Sequence, residues 1–332
     1  MTRRWLRRRI TLLTFGVFIG AGFVVSLMFG HTFYSLDKVL RVIQGEAVPG
    51  ASFTVGILRL PRAALAVLAG FSFGLAGAAF QTMLRNPLAS PDIIGISAGA
   101  TAAAVFAIVA LSLSAMTVSL VAVAAGLLTA LAVYLLAYRG GVASTRLVLV
   151  GIGVAAMLNS VTAYYLSQAA EWRLQEAMRW MTGSLNGASW DKAAPVCIAL
   201  LIFGTLLLGQ TRSLLVLQLG DDAAAALGVR VGRTRLVITL AAVGLVSFAT
   251  AATGPIAFVA FLSGPIASRI IGRGQSLLLP SALTGALLVL TADFTGQFML
   301  GTRFPVGVIT GVFGAPFLLY LILRANRSGV SL

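Results

Sequence analysis

Gly254-Pro255-Ile256-Ala257-Phe258-Val259-Ala260-Phe261-Leu262-Ser263-Gly264-Pro265-Ile266-Ala267-Ser268-Arg269-Ile270-Ile271-Gly272 decides how often the chain crosses a membrane. The stretch is apolar, but Gly-Pro pairs interrupt it twice. A proline inside a helix removes one backbone donor and collides with the preceding turn. An interrupted or bent helix is therefore predicted, which a bilayer tolerates only where protein or an aqueous cavity covers the freed backbone. The other apolar runs lie near 10–30, 61–84, 93–112, 115–137, 147–168, 193–211, 235–253, 277–299 and 306–323, most of them close to the roughly 20 residues that cross a bilayer. With 255–271 counted as a tenth span and the N-terminus inside, 16 of the 24 basic residues fall on inner segments and 8 on outer ones. Leaving it out gives 13 against 11. Lys and Arg accumulate in cytoplasmic loops, so the expectation is about ten transmembrane helices with both termini cytoplasmic.

Composition leads to the same class. Of 332 residues, 59% are hydrophobic and only 10% are charged, whereas soluble domains carry about 25% charge. The 36 glycines suit helices that approach closely without water to drive them together. No linker or low-complexity tract appears, so residues 1–332 read as one all-α, polytopic membrane domain. The net charge of +15 is spread between apolar runs rather than along one soluble face, which marks topology and not a nucleic-acid partner. Cys197 and His31 are the sole residues of their kinds. That excludes an internal disulfide and argues against a haem or zinc site or a His-based triad; His31 reads as an interfacial residue. The opening Thr2-Arg3-Arg4-Trp5-Leu6-Arg7-Arg8-Arg9 resembles an export signal, but no soluble domain follows it, so it reads as a cytoplasmic anchor.

Three non-spanning stretches stand out. Residues 31–60 and 169–192 fall outside, the second with an amphipathic pattern at Glu171, Trp172, Arg173, Glu176, Arg179 and Trp180. Residues 212–234 fall inside. There Asp221 and Asp222 open an Ala-rich run where acids complement the helix dipole, and Gly228 stops it. The result is a short helix beside a second helical turn, too polar to span. It is either an interfacial connector or a lever that docks on a cytoplasmic motor. In the fifth span Asn159, Ser160, Thr162, Tyr164, Tyr165, Ser167 and Gln168 crowd one half; such groups need partners or water, so they line a cavity or bond between helices. Asp293 is the one acid deep in a span and reads as half of a structural pair. Residues 87–95 and 265–272 echo each other faintly.

Several ordered segments resemble the FecCD-type permeases of iron-siderophore and vitamin B12 ABC importers, from about residue 55 to 324. They are Arg59-Leu60-Pro61-Arg62; Gly77-Ala78 through Arg85-Asn86-Pro87-Leu88-Ala89; Gly95-Ile96-Ser97-Ala98-Gly99-Ala100; Gly183-Ser184-Leu185 with Trp190; the Leu219-Gly220-Asp221-Asp222 loop ending in Leu227-Gly228-Val229; Gly254-Pro255-Ile256-Ala257-Phe258-Val259; and Pro305-Val306-Gly307 with Gly314-Ala315-Pro316-Phe317. The resemblance implies a vitamin B12 importer-like permease fold, two such chains around a central pathway, and a cytoplasmic ABC ATPase dimer. It implies that Asp221, Asp222, Ala225, Leu227, Gly228 and Val229 couple to the ATPase. Arg59 and Arg62 would meet acidic residues of a periplasmic or lipid-anchored substrate-binding protein, with snorkelling to the headgroups as the alternative. Asn86 would form the inner gate, with Ser144 and Thr145 near a second gate position. Asn159, Ser160 and Tyr164 would line the pathway. The chain departs from the family at Gly264-Pro265, where Pro-His is usual, and at Arg303, where an acid is common. The first alters local helix shape; the second adds an outer charge able to assist docking or meet an anionic chelate.

The expected cargo is a ferric siderophore, with vitamin B12, haem or another metal chelate as alternatives. No phosphate-cradling GxxxxGK[ST] loop occurs, so ATP and Mg²⁺ would be bound by the partner, and the chain itself would hold no cofactor or metal and catalyse nothing. A lipid-handling enzyme would need paired acids at the membrane edge, and Asp221-Asp222 stands alone. A secondary transporter would need coupling carboxylates within its spans, where Asp293 is nearly the only one. The expected location is the bacterial inner membrane.

Overall fold

The computed structural model describes residues 2–138, 144–272 and 275–327. Every regular element among them is helical: α1 Thr2–Met28, α2 Leu36–Ile43, α3 Leu60–Leu84, α4 Ile96–Val109, α5 Ala115–Ala137, α6 Ser144–Ser167, α7 Glu171–Met181, α8 Trp190–Ala199, α9 Thr205–Gly209, α10 Thr211–Leu217, α11 Asp221–Ala226, α12 Val231–Thr253, α13 Val259–Ile271, α14 Leu278–Phe298 and α15 Val306–Arg327. A π-helical stretch, Ser52–Arg59, leads into α3, and another, Leu200–Gly204, joins α8 to α9. Seven helices are long and apolar enough to cross a bilayer, while Ile96–Val109, Val259–Ile271 and Val306–Leu321 are apolar but shorter.

The core is built around α3, which packs antiparallel to α14 and parallel to α13. Small residues make this possible. A Cβ at Gly70 would strike the carbonyl of Gly285, one at Gly74 the carbonyl of Ser281, and one at Gly77 the carbonyl of Ala260. Close backbone approach replaces the hydrophobic drive that water supplies elsewhere. Peripheral helices instead turn Leu13, Val17, Leu128 and Leu149 outward, as lipid-facing surfaces do.

The expected interruption is present. Residues 254–258 are not helical: Gly254 has φ 71° and Phe258 has φ 65°, and α13 begins only at Val259. The freed backbone is covered by the turn after α7 and the start of α15. Ser184 N donates to Thr253 O at 2.6 Å, and Gly307 N to Gly183 O at 3.0 Å. Pro265 leaves the carbonyl four residues back, Phe261 O, without its helical donor. Gln81 of α3 supplies one, its Nε2 lying 2.9 Å from that oxygen. Gly264 is required beside Pro265 because a side chain there would occupy the Gln81 amide. The Gly264-Pro265 departure is thus a local exchange of a backbone donor for a side-chain donor.

The faint sequence echo has no structural counterpart: Pro91–Ile94 is a 3₁₀ turn, whereas Pro265 onward is α-helix. The amphipathic outer segment forms α7, and the polar loop after the sixth apolar run forms the helix pair α10–α11.

Candidate functional site

Asp221 stands at the first turn of α11 and joins three elements. Its Oδ2 lies 2.9 Å from Arg235 of α12, its Oδ1 3.0 Å from the same guanidinium, and Arg85 at the end of α3 approaches Oδ1 at 3.9 Å. Arg85 itself adopts a left-handed conformation, φ 54°, which a side-chain-bearing residue takes up at a cost of about 1 kcal/mol. It ends α3 so that Asn86 can follow in a turn, with Asn86 Oδ1 accepting from Leu88 N at 2.8 Å. The helix closes where Gly228 takes φ 84°, with Val229 N donating to Ala224 O at 2.9 Å.

The six residues expected to couple therefore divide. Asp222, Ala225, Leu227 and Gly228 are exposed; Val229 is half-buried and packs on the core; Asp221 is turned toward the chain's own arginines. Leu219 and Leu227 flank α11 with about two thirds of their surface open, at 66% and 64%. That exposed apolar rim on a polar element suits a partner.

Asn86 is exposed. Thr145 is exposed near the start of α6; Ser144 opens that helix, and its side chain lies outside the described residues. Next to this turn, Asp92 accepts from Ser90 Oγ at 3.1 Å and from Ser97 Oγ. Burial pushes its carboxyl up from the ordinary range, against the lowering effect of the Ser97 and Ser90 hydroxyls. On α6, Asn159, Ser160 and Tyr164 are all exposed along one face, whereas Thr162 is buried and bonds back to Leu158 O at 2.9 Å. Ser160 bonds back in the same way, to Ala156 O at 3.0 Å, so it is burial that separates Thr162 from the others.

At the far end of α3 the basic residues have internal partners. Arg59 donates to Leu27 O at 2.8 Å, Met28 O at 3.0 Å and Thr32 O at 2.8 Å, capping α1. Arg62 forks onto Asp293, with Nε–Oδ2 2.9 Å and Nη2–Oδ1 2.7 Å, and donates to Asn186 Oδ1 at 2.7 Å. Gln297 donates a further bond to Asp293 at 2.7 Å. Asp293 is thereby half of a structural pair, as expected. Arg303 is exposed and touches His31. Arg59, Arg62, Arg303, His31 and Asp293 border one cavity of about 380 Å³. Sequence reasoning missed the Arg85–Asp221–Arg235 junction, which joins segments far apart in the chain, and the Asp92 cluster, whose Ser90-Pro91-Asp92 cap and nearby Ser97 were a readable local signal.

A family model described as the FecCD transport family matches residues 18–324. The chain belongs to the FecCD transport family. This FecCD permease is 38% identical to the ferric enterobactin transport system permease protein FepG of Escherichia coli (strain K12) over 98% of both chains. It is 39% identical to the achromobactin transport system permease protein CbrC of Dickeya dadantii (strain 3937), over 96% of this chain and 95% of that one. A cobalamin import system permease protein BtuC of Halobacterium salinarum is 35% identical over 82% of this chain and 74% of its own. Among solved structures, an inward-facing metal-chelate type ABC transporter superposes with a TM-score of 0.85 at 24% identity, over 94% of this chain and 98% of that one. The FecCD permease shares that fold. It is a multi-pass permease subunit of the bacterial inner membrane and not itself an enzyme.

Proposed function

We propose that the permease carries ferric siderophores inward as the membrane-spanning half of an ABC importer, paired with a second permease chain and driven by a cytoplasmic ATPase dimer. The observation that carries the transport reading is α11: a short exposed helix with an apolar rim, braced by Asp221 to the ends of two long helices. The siderophore assignment draws on the relatives named for enterobactin and achromobactin. The relative named for cobalamin makes that corrinoid the comparison substrate.

In this reading all ten apolar helices cross the bilayer, both termini are cytoplasmic, and α10–α11 face the cytosol. The ATPase grips the Asp222, Ala225, Leu227 and Gly228 surface. Asp221 passes the displacement to Arg85, hence to the Asn86 gate, and to Arg235 at the foot of α12. Asn159, Ser160 and Tyr164 of α6 border the pathway between two permease chains, which gives their unburied polar groups water or a partner helix. At the outer end Arg303 is the exposed cation for an acidic binding protein, while Arg59 and Arg62 hold the corner that presents it.

The test is uptake by the permease, ATPase and binding protein reconstituted in vesicles, with radio-iron siderophore against cobalamin. ATP-dependent accumulation of the siderophore alone is expected; accumulation of cobalamin alone would overturn the cargo. Topology has its own test. Ala224 is fully buried, so Ala225→Cys in a Cys197→Ala background is the suitable probe. An impermeant maleimide should label it from the cytoplasmic face only.

A further inference from the structure

A second, larger cavity of about 640 Å³ lies on the other side of the Gly183–Gly187 turn. This volume is in the range of small-molecule sites, about 300–1,000 Å³. Its apolar walls include Ile108, Val118, Trp180 and Pro305, and its charged residues are Glu176, Arg179, Lys192 and Arg303. Three cations thus face one acid. None of Glu176, Arg179 and Lys192 forms an ion pair within 4 Å among the described residues, and Arg303 touches His31 rather than a carboxylate. Lys192 sits in the first turn of α8, where the helix dipole opposes a positive charge instead of neutralising it. Its half-buried ammonium lies against Gly187. The other acid of that turn, Asp191, does not line the cavity. A pocket with surplus fixed positive charge and an indole in its wall is complementary to an anion that carries flat or apolar groups.

We infer that this pocket is an anion-binding site, in which Lys192, Arg179 and Arg303 receive the oxyanion face of a negatively charged metal chelate while Trp180 and the apolar wall hold its organic part. The site differs from the Arg59–Arg62 corner, whose guanidiniums are bound internally. The identity of the ligand as a chelate rests on the proposed function; the preference for anions rests on the cavity alone. Lys192 and Arg179 raise the affinity of the outer mouth for anionic cargo, and Glu176 limits it, so that cargo can leave toward the pathway.

The experiment uses the full chain assembled with its ATPase in phosphatidylcholine nanodiscs, without binding protein. Equilibrium binding of a trianionic ferric tris-catecholate is compared with that of a neutral ferric tris-hydroxamate. The trianion should bind more tightly and lose affinity as salt rises. Lys192→Gln should weaken trianion binding about tenfold, the loss of one charge-assisted contact, and Lys192→Arg should restore most of it. Arg179→Gln, at an exposed position, should also weaken it, and Glu176→Gln should tighten it. Equal binding of both probes, or no response to Lys192→Gln and Glu176→Gln, overturns the site. Cobalamin uptake without siderophore uptake would remove the proposed cargo yet leave these charge effects standing. Siderophore uptake with a flat charge response would remove the pocket alone.

Discussion

At one end of α3, Arg62 grips Asp293 with 20% and 8% of their side chains open to solvent; at the other, Arg85 stands 3.9 Å from Asp221 with 47% and 41% open. The first pair is a bidentate fork with Asn186 and Gln297 filling the remaining positions. The second is a loose approach by Arg85, while Arg235, with 13% of its side chain open, holds the same carboxylate at 2.9 Å. A buried pair costs desolvation and stays together because either partner left alone would be worse off. An exposed pair is nearly balanced by water and can be exchanged. One helix thus has a fixed end and a more exposed, adjustable end.

The largest effect should come from breaking the fixed end. Asp293→Ala leaves Arg62 unpaired and should destabilise the protein by about 3 kcal/mol, read as a lowered melting temperature in detergent. The Arg62→Met, Asp293→Leu double variant should recover most of it. An unshifted single variant would refute the strut.

In the last turn of α3, Gln81→Ala removes the donor for Phe261 O beside Pro265. A loss of about 1–2 kcal/mol is expected, and Gln81→Glu should not restore it, since a carboxylate cannot donate there.

The adjustable end should behave in the opposite way. Asp221→Asn should cost less than Asp293→Ala, about 1–2 kcal/mol, because the amide oxygen still accepts from Arg235, yet lower siderophore taken up per ATP hydrolysed several-fold in reconstituted vesicles. Equal loss of ATP hydrolysis and uptake would place Asp221 on the ATPase contact instead of on the transmission to Arg85. Gly228→Val, at φ 84°, combines backbone strain with added bulk on the surface proposed to meet the ATPase and should uncouple in the same assay.

Asp92 sharpens the comparison through pH. Its carboxyl is raised by burial, so its contribution to the fold is greatest when it is protonated. That contribution is lost as pH climbs from the ordinary carboxylate value through the raised one. Asp92→Asn should flatten this decline in melting temperatures measured across pH. The smallest effect belongs to Arg41 and Glu46, an exposed pair with 51% and 49% of their side chains open. Arg41→Gln should leave the melting temperature unchanged.

Much of the candidate site was legible from local signals. Two acids ahead of an alanine run, closed by Leu227-Gly228, signal a short helix that stops at the glycine, and that helix is α11. Polar residues at Asn159, Ser160 and Tyr164 share an exposed face because helical spacing places them there. What stayed hidden was division of labour within those sets. Asp221 and Asp222 are neighbours of the same type, yet one turns toward Arg85 and Arg235 and the other toward solvent. Arg59 and Arg303 both carry exposed-looking charge in sequence, but the carbonyls at the end of α1 claim the first.

By itself the sequence determined the class: apolar runs, helix breakers and charge bias are properties of short windows, and lipid or water responds to them window by window. Tertiary structure alone decided which charges are spent. Arg62 meets Asp293 across 231 residues, and Gln81 meets Phe261 across 180. No local pattern encodes such meetings; they follow from how closely glycine-faced helices pack, and that packing exists only when the whole bundle has formed.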